Sequence, residues 1–133
     1  MHLDKTFIAE DTPNISGTLN EAIAITRQRK LNFTKVEVMA CARKTLAMAI
    51  AMGTTCIRTN VDIDPIVGLI GLEALLELRQ EFQDRLGLQI VAFPQEGIIK
   101  APGTIELLEE ALKLGADAVG GLPAKDMDPV RHV

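Results

Sequence analysis

At 133 residues the chain has material for about one domain, and 47% hydrophobic with 24% charged residues is the balance of a folded globular protein. A net charge of −4 without a basic stripe argues against a nucleic-acid partner, and no apolar run approaches the ~20 residues of a membrane span. Cys41 and Cys56 lack metal-ligand spacing and the first residues lack a secretory leader, so a cytoplasmic protein with reduced thiols is expected.

Residues 1–17 carry Pro13, Asn14, Ser16 and Gly17 and read as a loop, with a possible strand stub at 1–4. The spacing of Leu19, Ala22, Ile23 and Ile25 predicts a helix over 18–30, with Thr18 and Glu21 as a capping box. Thr34 and Glu37 repeat that box before a helix through Val38, Ala42, Leu46 and Ile50 that stops at Gly53. Met39, Met48 and Met52 on this helix are expected in the core, and Cys41 and Cys56 as small buried residues.

Residues 54–62 are short and β-branched, and read as a buried strand with a polar end. Residues 65–85 are mostly helical through Leu72, Leu75, Leu76 and Leu78, with irregularity near Gly68 and Gly71. Strands follow at 88–93 and 116–122, separated by a helix over 104–114 that Gly115 ends. Pro123 to Asp128 reads as a loop. Asp128-Pro129 then has the N-cap and N1 residues of a last helix, on which His132 is expected to be solvated. Asp64-Pro65 reads in the same way as a cap.

Strand-helix alternation implies parallel βαβ units in a single domain spanning 1–133. Each strand ends in a polar cluster: Asn60 and Asp62, Gln95 and Glu96, Lys125 and Asp126. Ligands of α/β folds collect at that end of the strands.

Five segments resemble the bacterial cytosine-deaminase branch of the metal-dependent amidohydrolases. They are His2-Leu3-Asp4-Lys5-Thr6-Phe7, Ser16-Gly17-Thr18-Leu19, Ile57-Arg58-Thr59-Asn60-Val61-Asp62, the stretch 88–97 ending Phe93-Pro94-Gln95-Glu96-Gly97, and the helix segment 107–117. The resemblance covers essentially the whole chain, and the stretch ending at Gly97 is its most specific part. It implies an α/β fold: a partial, roughly half, TIM-type (β/α)₈ barrel with parallel strands, forming the first half of a catalytic domain. A complete barrel of this kind takes about 250 residues, so both ends read as cuts through a larger gene product.

The family's usual chemistry is hydrolysis of C–N bonds in cyclic or amide substrates by metal-activated water. By the resemblance, His2 matches the second histidine of a His-x-His metal motif and is expected to be a remnant at the terminus. Gln95 matches a glutamine that contacts substrate, a role it would have only in a complete barrel. Asn60 stands where many relatives have histidine. The remaining ligands and the proton-shuttling glutamate would lie beyond Val133. The divalent metal of the parent family, zinc or iron, is therefore expected to be missing from this chain, which would be inactive alone. Its partners would be a small-molecule substrate in the parent family and either a second copy or a complementary barrel half. The alternative is a non-enzymatic half-barrel that serves as an assembly module or persists as a truncated relic.

Overall fold

The computed structural model describes residues 1–132. Two helices precede the sheet: α2 (Leu19–Lys30) and α3 (Lys35–Ala51), with a single-turn α1 (Ile8–Asp11) before them. Strand and helix then alternate as β1 (Cys56–Asp62), α4 (Ile70–Phe82), β2 (Gly87–Phe93), α5 (Thr104–Leu114) and β3 (Ala118–Val119), closing on α6 (Pro129–His132). The predicted capping box of α3 is complete, since Thr34 accepts from the Glu37 N–H while the Glu37 carboxylate accepts from the Thr34 N–H. At α2 the box is half-formed. Thr18 caps Glu21, but the Glu21 carboxylate turns to the N–H and hydroxyl of Ser16.

The strands form one parallel sheet in the order β1-β2-β3. Cys56 pairs with Gly87 and Asp62 with Phe93, so β1 and β2 end level. Strict alternation sorts their side chains. Ile57, Thr59 and Val61 of β1, with Leu88, Ile90 and Ala92 of β2, are buried on one face. Leu46 of α3, Leu72, Leu75 and Leu78 of α4, and Leu108 and Ala111 of α5 share that core. Cys56, Arg58 and Asn60 lie on the other, more open face, where Arg58 donates to the in-register Gln89.

Several expectations are corrected. The region read as a loop before residue 18 holds a 3-10 turn at Leu3–Lys5 as well as α1. Phe7, between the two, takes φ 63, an uncommon conformation for an aromatic residue. The Lys44 ammonium lies 3.8 Å from the centre of its ring. The strand expected over 116–122 is reduced to Ala118–Val119, because the Asp117 carboxylate takes the Ile90 N–H that another strand residue's carbonyl would accept. Met39 packs against the core, but Met48 and Met52 are exposed. Cys56, at the start of β1, is exposed, and Cys41 is half-buried. Asp64 caps a turn, accepting from the Ile66 and Val67 N–H groups, and α4 starts only at Ile70.

Candidate active site

Level parallel strands deliver Asp62, Phe93 and the residues just after them to one edge of the sheet. The chain's first residues are fastened beside β1, where the Met1 carbonyl accepts from the Asn60 N–H at 2.8 Å and the Leu3 N–H donates to the Thr59 hydroxyl. His2 is thereby held over the strand ends. Its ring meets Phe93 edge-on at 5.7 Å, and its Nδ1 lies 3.5 Å from Asp4 Oδ1 and 3.4 Å from Asp62 Oδ1. Asp4 is tied down in turn, since its Oδ2 accepts from the Asp62 N–H at 3.0 Å.

Lys30, the last residue of α2, reaches into this edge and is 2% exposed. Its Nζ lies 2.8 Å from Asp62 Oδ2, 2.6 Å from Asp64 Oδ2 and 3.2 Å from Glu96 Oε1. Burial opposes its charge, but Asp62 and Asp64 outweigh burial and hold the ammonium above the ordinary lysine range. Lys5 adds a second cation, 2.7 Å from Asp62 Oδ1. Sequence reasoning missed this cluster. Lys30 and Glu96 lie 66 residues apart, and a lysine closing a helix is ordinarily solvated.

A separate network fixes the segment that follows Gln95. Asp126 accepts from the N–H groups of Ile98, Ile99 and Lys100, and His132 Nδ1 lies 2.7 Å from its Oδ2. Desolvation opposes the charge on Asp126. The bonds from His132 and the three N–H groups prevail and hold its carboxyl well below the usual carboxylate range. His132 Nε2 faces the Leu122 N–H at 3.2 Å, which assigns the ring proton to Nδ1. This histidine is buried, contrary to the solvated position expected from its place on the last helix.

A cavity of about 390 Å³ opens over the strand ends, and both sequence-predicted site residues, His2 and Gln95, line it. Lys5, Lys30, Asp62 and Glu96 form its inner part with them, and α2 supplies a wall through Leu19, Ile23 and Arg27.

No family model matches the chain. A crystal structure of 5-methylcytosine deaminase from Klebsiella pneumoniae with phosphonocytosine superposes with a TM-score of 0.89 at 42% identity, covering 99% of this chain and 32% of that one. The structure of N-isopropylammelide isopropylaminohydrolase from Burkholderia multivorans gives 0.84 at 38% identity, covering 99% and 34%. The chain is homologous to amidohydrolases and deaminases. Among curated amidohydrolases and deaminases it is 31% identical to N-isopropylammelide isopropyl amidohydrolase from a Pseudomonas species over 91% of its length, which is 31% of that enzyme. It is 33% identical to a Rhizobium rhizogenes pterin deaminase over 74% of its length, 23% of that enzyme. The chain thus spans about a third or less of the relatives it matches. These are TIM-barrel enzymes, so the three-stranded parallel sheet is part of such a barrel, and the expected partial-barrel α/β fold holds.

Deaminases and amidohydrolases of this kind generally depend on a metal, and the donors present fit one. His2, Asp4 and Asp62 each offer a ligand atom, all within 4.8 Å of one another. His2 Nδ1 and Asp4 Oδ1 are buried without a hydrogen-bond partner. The 3.4 and 3.5 Å separations between His2 and the two carboxylates match the roughly 3.4 Å edge of a tetrahedron drawn with metal bonds of about 2.1 Å. Charge points the same way. Among the described residues, the ammonium groups of Lys5 and Lys30 are the only lysine or arginine partners of the Asp4, Asp62, Asp64 and Glu96 carboxylates. Two negative charges are left over, which a divalent cation would balance. Asp4 and Asp62 meet only through the register of the first residues on β1, which local spacing does not reveal.

Proposed function

We propose that this chain is the N-terminal, substrate-facing part of a metal-dependent hydrolase acting on C–N bonds of nitrogen heterocycles or cyclic amides. The observation that carries the reading is the meeting of His2, Asp62 and Gln95 on one cavity at the carboxyl ends of parallel strands. The names of the homologous enzymes, which cite 5-methylcytosine, pterin and N-isopropylammelide, support a ring-nitrogen substrate.

Gln95 would hold the ring, its amide offering both a donor and an acceptor to the paired polar atoms of a cyclic amide or amidine. The segment that follows it is held by Asp126, which accepts from the Ile98 and Ile99 N–H groups. His2, Asp4 and Asp62 would hold the metal, zinc or iron. The metal, when bound, would supply an activated water. Phe93 packs edge-on against the His2 ring.

The chain alone is proposed to lack turnover, because His2, Asp4 and Asp62 form only one side of a site. It is further proposed to pair with a second copy or with a complementary barrel half. The open sheet face and the exposed Val119 of β3 favour this over a lone monomer. The two free cysteines favour a reducing, cytoplasmic compartment.

The test is an amide NMR titration of the chain with cytosine, alongside turnover assays with added zinc, iron or manganese and metal analysis after dialysis. Shifts at Gln95, Glu96 and Gly97 that Gln95→Ala removes are expected, without turnover. Ligand shifts indifferent to Gln95→Ala would refute the site. Stoichiometric metal with turnover abolished by His2→Ala would refute the inactivity of the lone chain. Light scattering at micromolar concentration should show a species larger than one chain.

A further inference from the structure

The cavity over the strand ends has a charge distribution opposite to that of the molecule. The chain carries 14 basic and 18 acidic residues. The cavity wall carries Lys5, Arg27, Lys30, Lys100 and Lys125 against only Asp62 and Glu96. These cations fall into two groups. Lys5 and Lys30 are spent on the buried carboxylates of the floor, at distances of 2.6 to 3.2 Å. Arg27, Lys100 and Lys125 have no ion-pair partner within 4.0 Å among the described residues.

The three unpaired cations come from three separate elements. Arg27 is on α2, Lys100 is in the segment after β2, and Lys125 is in the 3-10 turn after β3. One residue links two of these segments. Asp126 accepts from the Lys100 N–H and directly follows Lys125. Surface cations scattered for solubility would not converge on one concavity of an acidic chain. A cavity with a negative floor and a positive rim sorts a ligand end to end, because opposite charge attracts more strongly beside low-dielectric walls.

We propose that the substrate of this site is a heterocycle bearing an anionic substituent, a carboxylate or an ionised ring oxygen. The anion is held at the rim by Arg27, Lys100 and Lys125, and the reacting C–N bond points to the floor. The assignment rests on the proposed function of the cavity and adds the charge class of its ligand.

Uracil and orotate form a matched pair of probes, the same cyclic amide without and with a ring carboxylate. Each is titrated into the 133-residue chain, and amide shifts are followed at Gln95, Glu96, Lys100 and Lys125. Partly exposed ion pairs each contribute up to about 1 kcal/mol, so three give orotate an advantage on the order of tenfold or more. That advantage should shrink as ionic strength rises. It should vanish in the triple variant Arg27→Gln, Lys100→Gln, Lys125→Gln, whose substitutions are at exposed positions and whose fold is verified from its amide spectrum. The triple charge-retaining change of Arg27 to Lys with Lys100 and Lys125 to Arg should keep it. Equal affinity for the two probes, both lost in Gln95→Ala, would overturn this inference and leave the site standing. An orotate preference that survives the triple neutralisation would also overturn it. If neither probe shifts any amide of the cavity, both the inference and the proposed function fall.

Discussion

Replacing Lys30 by methionine tests what fastens α2 to the rest of the molecule. A 12-residue helix is marginal on its own in water, and α2 has little apolar anchorage, with Leu19 and Ile23 both exposed. Lys30 is its one buried residue. The substitution keeps the length of the side chain and removes the charge shared by Asp62, Asp64 and Glu96. Breaking one partner out of a buried ion pair costs about 3–5 kcal/mol, because the stranded charge stays buried. Here Asp64 keeps two backbone N–H donors and Asp62 keeps Lys5, which places the loss at the lower end, about 3 kcal/mol. With an m-value of about 2 kcal/mol/M, the urea midpoint should fall by about 1.5 M. Amide exchange in α2 should accelerate more than in α3.

The pH dependence separates this cause from simple loss of packing. In the parent, the folded-state pKa of Lys30 is raised. Its stabilisation is therefore fully present below the unfolded value of about 10.4 and is lost only as pH rises through the folded value. Between pH 7 and 5 Lys30 contributes no slope. The gap in stability between parent and Lys30→Met should therefore be constant from pH 5 to 9 and shrink as pH rises above about 10.4. Asp64→Asn added to the variant should recover part of the loss. A cost under about 1 kcal/mol, or a gap that does not shrink above that pH, would refute the reasoning.

Two further outcomes are expected. Gly71→Ala places a Cβ 2.8 Å from Val61 Cγ2 and 3.3 Å from Asp4 Cβ, so thermal unfolding should show a loss of about 1–3 kcal/mol, with amide shifts at Leu3 and Asp4. Asp126 has a depressed folded-state pKa, so its stabilisation is present above the unfolded value of about 3.9 and is lost as pH falls below it; urea unfolding should find Asp126→Asn weaker than the parent at pH 6, with the two curves converging toward pH 3.

The fold was legible where it rests on local rules. The Thr34 box, the glycine stops at Gly53 and Gly115, and the β-branched run ending at Asp62 each act over a few residues and could be read directly. Local rules failed where tertiary bonds override them. Asp117 has the look of a strand residue between alanines, yet its side chain occupies the Ile90 N–H and shortens β3 to two residues. Leu19 and Ile23 have helical spacing but no surface to bury against, so periodicity overstated the anchorage of α2.

The site was legible as a set of residue types at strand ends and not as a set of contacts. His2 and Gln95 could be named from the resemblance, whereas Asp4, Asp64 and Lys30 could not, because nothing within a few residues of them signals a charge cluster. Parallel register is what makes the cluster. Asp62 and Phe93 are paired residues 31 positions apart, and any chain whose strands end level must bring the residues after each strand to one edge. Helix length adds the last component. Arg29, the neighbour of Lys30, turns outward to the exposed Asp11, so the residue one step later on the helix is the one that reaches the cluster. Among the described residues, Lys30 alone joins Asp62 to Asp64, since Lys5 pairs with Asp62 only. Three unremarkable features, a strand register, a helix length and a lysine at its end, are each readable in isolation. Their product, a buried cation shared by two strand ends, exists only after the chain is folded.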